Sequence, residues 1–301
     1  MEKISTHIPA LLHEVLELMQ VQSAGTYIDA TFGRGGHSRA LLERLGPGAR
    51  LFVFDRDPQA IASAREFAHE DLRVTVVHAA FSSIADCGAR EVDGILFDLG
   101  ISSPQVDDAT RGFSFRHDGP LDMRMDPHHG QSVAEWIAIA GEQEIADVLW
   151  RFGDERRSRL IAKRVVEARR EAPLVSTLQL VKIVHSCFPH HGGRIDNATR
   201  TFQALRIFIN DELTELERAL DHALQMLRIG GRILVIAFHS LEDRYVKRHF
   251  RELDALARAP AIATDARFRL IARKSIQASD AEIAANPRAR SARLRAVERV
   301  A

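Results

Sequence analysis

Short apolar runs alternate with amphipathic segments through the first hundred residues. The apolar runs predict strands at residues 27–31, 51–54, 73–77 and 94–97, and the segments between them predict helices at 37–45 and 58–67. Strands that are apolar without alternation, and that are separated by helices, are typical of a parallel sheet covered on both faces. This part of the chain therefore predicts an α/β fold.

The pattern changes after the fourth predicted strand. No convincing strand occurs between about residues 106 and 201. Instead, Ser132 and Ser176 are each followed three residues later by Glu or Gln, a capping box that begins a helix-periodic run. This stretch therefore predicts a block of helices.

Strand signal returns at residues 232–237. A helical face of leucines precedes it, and we expect that helix to end at Gly230-Gly231, because glycine commonly follows the last helical residue. We predict a Rossmann-like domain formed by residues 1–105 and 207–301, with an inserted all-helical substrate-recognition domain at 106–206.

Composition narrows the class of protein without naming a function. Hydrophobic residues make up 46% and charged residues 27% of the 301 residues, which excludes a disordered or fibrous chain. No apolar run approaches the roughly 18 residues of a membrane span, and no signal-peptide core follows Met1. Two cysteines, Cys87 and Cys187, are too few for a disulfide framework. We predict a cytoplasmic protein with no membrane partner.

The net charge is zero, from 41 basic and 41 acidic residues, but the charges are unevenly distributed. Residues 266–301 contain nine Arg or Lys and three Asp or Glu, and residues 151–170 contain eight basic and three acidic residues. Both stretches are open to two interpretations. They are solvated faces of helices and strands, or they are clusters of cations that contact the phosphates of a nucleic acid.

A glycine-rich turn follows the first predicted strand. Gly33, Gly35 and Gly36 lie between this strand and the next helix, where the absence of a Cβ lets a ligand approach the backbone. Asp55 ends the second strand, 22 residues after Gly33, where its carboxylate can accept hydrogen bonds from two ribose hydroxyls. Together these residues predict an adenosine-containing cofactor at the carboxyl ends of strands one and two.

The turn favours S-adenosylmethionine over a phosphate-bearing nucleotide. A dinucleotide fingerprint would have glycine where this chain has Ser38, and a Walker loop would continue with Gly-Lys-Ser/Thr. The turn is similar instead to the acidic-x-G-x-G-x-G motif of class I S-adenosylmethionine methyltransferases, with Asp29 as the acid and Thr31 at the first glycine. An NAD-dependent oxidoreductase stays open as a competing interpretation.

Nine strings spread over nearly the whole chain resemble one family. They are HIPALL (7–12), FGRGGHS (32–38), DRDP (55–58), DLGISSPQ (98–105), RGFSF (111–115), GPLDMRM (119–125), ATRTFQALRI (198–207), FHSLEDR (238–244) and NPRARS (286–291). In this order they resemble the RsmH (MraW) family, bacterial methyltransferases that act on the N(4) amine of cytosine 1402 in 16S rRNA.

This resemblance implies a class I S-adenosylmethionine methyltransferase fold with an inserted helical domain. It implies S-adenosylmethionine as cofactor, S-adenosylhomocysteine as product and 16S rRNA of the small ribosomal subunit as partner, and it leaves a homodimer open. By family pattern, the cofactor contacts fall on Gly35, Gly36, His37, Asp55, Phe81, Asp98 and Gln105. Two alternatives remain: a methyltransferase of another nucleic acid such as DNA, and a cofactor-binding assembly protein without turnover.

Methyl transfer to a cytosine amine calls for hydrogen-bond acceptors beside the reacting nitrogen, because its lone pair is conjugated into the ring. The segment after the fourth strand offers Asp98, or a backbone carbonyl near Ser103 and Pro104, and we take these three as candidate catalytic residues. The alternative is that Asp98 only orients the cofactor and that the serines cap a turn.

The following loop offers candidate contacts for an unpaired base and its flanking phosphates. Phe113 and Phe115 are candidates for stacking, and Arg111, Arg116 and Arg124 are candidates for phosphate contacts.

Two further groups of polar residues predict neither a metal site nor a hydrolase site. His128-His129 and His190-His191 lack carboxylate or cysteine partners at helical spacing, so we predict no metal site. His239, Ser240 and Asp243 invite a hydrolase interpretation, but the chain lacks the G-x-S-x-G turn that would present the nucleophile.

Overall fold

The computed structural model describes residues 9–189, 196–258 and 266–301. His7 and Ile8 of the first family string, and the His190-His191 pair, lie outside these ranges. The chain separates into two compact units, Met1–Gly100 with Glu215–Ala301, and Ile101–Thr214. Within the described ranges, no helix combines the length and the apolar character that crossing a lipid bilayer requires.

The described residues form both helices and strands. The helices are α1 (Leu12–Met19), α2 (Gly36–Leu42), α3 (Pro58–Glu70), α4 (Ser103–Asp107), α5 (Val133–Ile139), α6 (Glu142–Gly153), α7 (Ser158–Glu171), α8 (Thr177–Ser186), α9 (Ala198–Ile209), α10 (Glu212–Met226), α11 (Ser240–Arg258) and α12 (Asp280–Ala285). The strands are β1 (Thr26–Asp29), β2 (Arg50–Asp55), β3 (Val74–His78), β4 (Val92–Asp98), β5 (Leu227–Ala237), β6 (Phe268–Leu270), β7 (Ile276–Gln277) and β8 (Arg293–Arg299). Short 3₁₀ helices lie at Phe81–Cys87, Ala109–Arg111 and Pro287–Ser291.

The first unit is built on one sheet with the strand order β3-β2-β1-β4-β5-β8-β6, and β7 also pairs with β8. The first five strands are parallel where they pair, and β8 runs antiparallel to β5. The chain goes outward from β1 through β2 to β3 and then returns to the other side of β1 with β4. In such doubly wound sheets, ligands bind outside the carboxyl ends of the strands at this reversal. Asp29, Asp55 and Asp98 end the three strands there.

Both faces of the sheet are buried. Tyr27 and Leu51 point into one cluster with residues of α1, whereas the next residue of β1, Ile28, belongs to the opposite cluster. Leu220 of α10 and Phe250 of α11 pack in that second cluster. This two-sided burial explains why the strands are apolar without alternation. The predicted fold class, a Rossmann-like α/β sheet with a helical insertion, is confirmed.

Two features of this unit differ from the sequence prediction. The helix before β5 ends at Met226, and not at Gly230-Gly231, because the backbone already pairs with β4 from Leu227 onward. The register shifts before Arg232, and Gly230 takes φ +81° in this irregular stretch. The sequence also gives no prediction of β6, β7 and β8, since arginines interrupt their apolar residues.

The second unit contains helices joined by loops, the longest at residues 112–132, and its described residues form no strand apart from one isolated bridge between Pro120 and Ser176. Ser132 and Ser176 cap α5 and α8 as predicted, each accepting a hydrogen bond from the backbone N–H three residues later. The helices enclose a core of their own, which includes Phe113, Leu121, Trp136, Ile145, Leu149, Ile161, Val165, Leu180, Val184, Phe202 and Leu205.

Candidate functional site

The glycine-rich turn after β1 is fixed by hydrogen bonds to the end of β2. The N–H of Phe32 donates to the carbonyl of Phe54 (2.8 Å), and the N–H of Gly33 donates to Oδ2 of Asp55 (2.9 Å). Gly35 has φ +73°, and a Cβ at this position would lie 2.5 Å from the Phe32 ring. Glycine is therefore required at Gly35 both by the backbone conformation and by the packing.

Gly36 and His37 begin α2 directly after the turn. A Cβ on Gly36 would lie 2.9 Å from Cγ of Pro9, so this position is also closely packed. The His37 side chain is buried, and its Nε2 lies 3.6 Å from Oδ2 of Asp98 at the end of β4. The histidine therefore faces the carboxyl edge of the sheet at the reversal of strand order.

Asp55 retains acceptor capacity after forming its own contacts. Its two carboxylate oxygens each accept one backbone N–H at 2.9 Å, from Gly33 and Asp57. An ionised carboxylate has about four lone-pair positions, so both oxygens can accept a further hydroxyl. Burial raises the pKa of Asp55 to about 6 in spite of these two hydrogen bonds, and the nearby carboxyls of Asp57 and Asp29 add to the rise.

Asp98 presents a buried acceptor at the end of β4. Its N–H donates to Oγ1 of Thr31 (2.7 Å), which fixes the backbone, while its Oδ1 is buried without a hydrogen-bond partner in the described part of the chain. Burial, with smaller contributions from the carboxyls of Asp29 and Glu242, raises the pKa of Asp98 to about 8. The raised pKa favours the protonated form of the Asp98 carboxyl at neutral pH.

Carboxyl groups accumulate at this edge of the sheet. Asp29 is buried and accepts hydrogen bonds from Oγ of Ser38 (2.6 Å) and from the N–H of Thr31 (3.1 Å), and burial raises its pKa. Asp55 and Asp98 end the strands on either side of it, and both have raised pKa values. Such a cluster disfavours a polyanionic ligand and favours one that carries positive charge.

Phe81 begins the 3₁₀ helix that follows β3. Its ring packs edge-on against Phe97, with 5.9 Å between ring centroids, and remains partly exposed. The ring is thus held against the core on the side of Phe97, while the residue keeps some exposure to solvent. The predicted adenine contact stays a prediction.

The structure adds two residues to this edge that sequence reasoning did not assign to the site. Oε2 of Glu242, a buried residue of α11, accepts the N–H groups of Phe238 and His239 (2.9 and 3.3 Å). Its Oε1 lies 3.0 Å from Nε2 of His239. The available signal was the polar string directly after the apolar strand 232–237. His239 thus pairs with Glu242, while Asp243 pairs with Arg295, so no hydrolase triad forms.

The other three candidates belong to the second unit. Ser103 and Pro104 form the first turn of α4, and Ser103 is buried. Gln105 is buried as well, and its Oε1 accepts the N–H of Ser102 (2.9 Å) in a capping box. The capping box at Ser102 therefore supports the interpretation that a serine of this segment caps a turn. The catalytic roles of Ser103 and Pro104 and the cofactor contact of Gln105 stay predictions.

Comparison with known proteins assigns the family. Residues 4–300 match the sequence profile of the MraW methylase family. The chain belongs to this family. It is 50% identical over 301 residues to a Xanthomonas euvesicatoria protein named ribosomal RNA small subunit methyltransferase H, covering 98% of this chain and 89% of the relative. A Neisseria meningitidis protein of the same name is 51% identical over 305 residues, covering 98% and 93%.

Solved structures give a weaker likeness. A Streptococcus mutans methyltransferase in complex with SAH aligns with a TM-score of 0.44 at 13% identity, covering 97% of this chain and 99% of that one. A likeness at this level does not bear on ligand or substrate.

The structure corrects part of the predicted RNA contacts of this family member. Arg111 is buried and donates to the carbonyls of Arg124 and Met125, and Phe113 lies in the core of the second unit. Phe115 packs on another core phenylalanine and is only partly exposed. Because these groups stabilise their own loop, Arg111 and Phe113 are not available for phosphate contacts or base stacking.

The two remaining loop arginines differ from each other. Arg124 forms a bidentate ion pair with Asp122 (2.8 and 2.7 Å) and also donates to the carbonyl of Gly130 (3.1 Å). Arg116 is exposed, so among these arginines it is the one whose side chain is open to a phosphate.

The basic C-terminal stretch is also partly structural. Arg295 of β8 is buried and pairs with Asp243 (2.8 Å). Arg299 donates to the carbonyl of Leu227, and Arg269 lies 3.5 Å from Glu298. These arginines bind β8 to neighbouring elements, which supports the interpretation of this stretch as part of the sheet.

Proposed function

We propose that this chain transfers the methyl group of S-adenosylmethionine to the N(4) amine of cytosine 1402 in 16S rRNA of the small ribosomal subunit. The observation that carries the proposal is Asp98, whose unpartnered buried oxygen lies at the reversal of strand order in a chain of the MraW methylase family. The names of the curated relatives support ribosomal RNA of the small subunit as substrate.

The residues present fit the proposed cofactor. Asp55 keeps lone pairs for two ribose hydroxyls, and Phe81 leaves part of its ring exposed on the neighbouring strand connection. Gly33 and Gly35 take the positive φ values that the turn requires, and Phe32 and Pro9 pack closely against Gly35 and Gly36. The carboxyl cluster suits a ligand with a sulfonium and an ammonium group, and it disfavours the pyrophosphate of NAD. The carboxyl cluster therefore disfavours an NAD-dependent oxidoreductase.

The chain's contribution to the reaction is alignment and hydrogen bonding. When bound, S-adenosylmethionine supplies an already activated methyl group on a sulfonium. In the proposed transfer the nitrogen–carbon bond would form as the carbon–sulfur bond breaks, and the proton that the amine loses would pass to solvent water. Asp98 would accept a hydrogen bond from the amine, which frees the nitrogen lone pair from conjugation, and His37 would hold the Asp98 carboxyl in place from 3.6 Å. A carbonyl near Ser103 and Pro104 remains the second candidate acceptor.

A cytosine in folded RNA reaches such a crevice only when it is unpaired or extruded. We propose that the helical segment, predicted as residues 106–206, recognises the RNA around that base. The proposed substrate also supports the cytoplasmic location predicted from the sequence, and the oligomeric state, including a homodimer, is open to measurement.

Incubation with methyl-labelled S-adenosylmethionine tests the proposal. Purified 30S subunits, free 16S rRNA and duplex DNA are compared as acceptors, and the labelled nucleotide is mapped by mass spectrometry. We expect label on N(4) of cytosine 1402 in one or both RNA samples. Label on DNA, label on another nucleotide, or cofactor binding without transfer would each contradict the proposal.

A further inference from the structure

The arginine-rich helix α7 carries a stripe of exposed cations that contribute little to the packing of the helix. Its buried face consists of Ser158, Ile161, Ala162, Val165 and Val166, and the cations lie outside this face. We define the α7 stripe as Arg159, Lys163 and Arg170, all exposed. At about 100° and 1.5 Å per residue, the three positions fall within about 40° of arc and span roughly 16 Å along the axis.

Other basic residues of the same stretch show the contrast. Arg169 is partly buried and donates to the carbonyls of Ile137 and Ala140. Arg157 donates to the carbonyl of Cys187, and its guanidinium lies 5.0 Å from the ring centroid of Phe188. These two arginines anchor α7 to neighbouring segments. Within the described residues no comparable contact is seen for Arg159 or Arg170, and Lys163 has only Glu167 at 3.9 Å.

The arrangement of the stripe is unfavourable for an isolated helix. Arg159 and Lys163 stand four residues apart, a spacing at which like charges repel. Arg159 also lies in the first turn, where the helix dipole disfavours cations, and this turn contains no acidic residue. Arg170 lies in the last turn, where the dipole favours a cation, and Lys163 pairs with Glu167 as Arg248 pairs with Glu252 on α11. The unfavourable terms therefore fall on Arg159 and on its repulsion with Lys163, and an external anion would offset both.

We propose that the α7 stripe binds the phosphate backbone of the substrate RNA. This inference rests on the proposed function and specifies where the second unit contacts its substrate. Charge complementarity carries it, because the three cations are spread over a distance that corresponds to several phosphates of a nucleic acid strand. The second unit as a whole has no excess of basic residues, with 15 Arg or Lys against 16 Asp or Glu in residues 101–214, so the stripe is a local concentration.

The test uses the full-length triple variant R159Q/K163Q/R170Q. Glutamine has a helix propensity similar to that of arginine and lysine and removes the charge, although its side chain is shorter. The matched control R44Q/R65Q/R251Q removes the same charge from three exposed arginines of the first unit. Binding of a 16S rRNA fragment is measured between about 50 and 300 mM salt, together with KM and kcat for methyl transfer and with the melting temperature.

We expect the stripe variant to bind RNA at least tenfold more weakly at low salt than the wild type. Its slope of log affinity against log salt should fall by about 2, since each phosphate contact contributes roughly 0.7. KM for RNA should rise with little change in kcat, and the melting temperature should be equal or higher because repulsion is removed. The control should keep the wild-type salt slope.

Equal salt slopes for the stripe variant and the control would overturn the inference and make the stripe a solvated face. An unchanged slope combined with a raised KM on 30S subunits alone would point to an acidic protein surface and would also overturn it. Failure of the proposed function would give a different result from failure of this inference. In that case the wild type itself transfers no methyl group to RNA, while the binding comparison still decides whether the stripe contacts phosphates.

Discussion

Replacing Asp98 by asparagine should stabilise the ligand-free protein, and the gain should grow with pH. Burial raises the pKa of Asp98 to about 8, from an ordinary value of 3.8. Between these two values the folded protein keeps a proton that the unfolded chain has released. The free energy of unfolding of the wild type therefore falls as the pH rises through this window. Asparagine does not titrate, so the free energy of unfolding of D98N lacks this decrease.

The size of this stability difference follows from the pKa shift of Asp98. Each pH unit inside the window costs about 1.4 kcal/mol, so the interval from pH 5 to pH 7 would cost about 2.7 kcal/mol for a fully buried group. About a quarter of the Asp98 side chain is exposed (26%), and water screens part of the penalty. We therefore expect the stability difference between D98N and the wild type to increase by about 1–2 kcal/mol between pH 5 and pH 7.

Urea unfolding at pH 5, 6 and 7, followed by circular dichroism, measures this difference. The groups that face Asp98, namely Asp29, Glu242 and His37, are present in both proteins, so subtraction leaves the titration of Asp98 together with its coupling to these neighbours. D86N, at an exposed aspartate of the same unit, is the control and should show no pH-dependent gain. A stability difference that is constant with pH, or that shrinks as the pH rises, would refute the reasoning. Methyl transfer by D98N should fall in the same preparation.

Two further substitutions test the packing of the first unit. G35A should lower the free energy of unfolding by about 1–3 kcal/mol, because Gly35 has φ +73° and a Cβ would meet the Phe32 ring. The control is G48A, where a Cβ has open space. In the same urea titration, G48A should change the free energy of unfolding by much less. R295A should cost about 2–4 kcal/mol in differential unfolding measurements, since it leaves the Asp243 carboxylate without its buried partner, and a loss below about 1 kcal/mol would mean that the pair is solvated.

The sequence predicts those parts of the fold that are encoded locally. The four strands, the turn at Gly35 and the caps at Ser132 and Ser176 each depend on residues within a few positions, and the structure confirms them. The predicted end of α10 is wrong by a few residues, because pairing of Leu227 with β4 overrides the local helical pattern. Strand pairing is a contact between distant segments, and no local pattern reports it.

Arginines show why the candidate site is harder to predict than the fold. Arg111 in the loop and Arg159 in α7 both stand in basic or aromatic-rich sequence, yet one is buried on backbone carbonyls and the other is exposed. Which role an arginine takes depends on whether a carbonyl or carboxylate from elsewhere reaches it. The protonation of Asp98 depends in the same way on Asp29 and Glu242, which are remote in the sequence.

The carboxyl cluster makes one further prediction, about ligand charge. With pKa values of about 6 and about 8, Asp55 and Asp98 both gain negative charge as the pH rises from 6 to 8. S-adenosylmethionine carries a sulfonium, an ammonium and a carboxylate group and is a net cation, whereas adenosine is uncharged. Raising the pH from 6 to 8 should therefore strengthen binding of S-adenosylmethionine by roughly three- to tenfold more than binding of adenosine, because the cation interacts with the ionised form alone. Titration calorimetry of both ligands measures this, and D98N should flatten the difference. Equal pH dependence for the two ligands would mean that the carboxyls do not face the charged half of the cofactor, and the assignment of Asp98 to the reacting end of the crevice would then have to be abandoned.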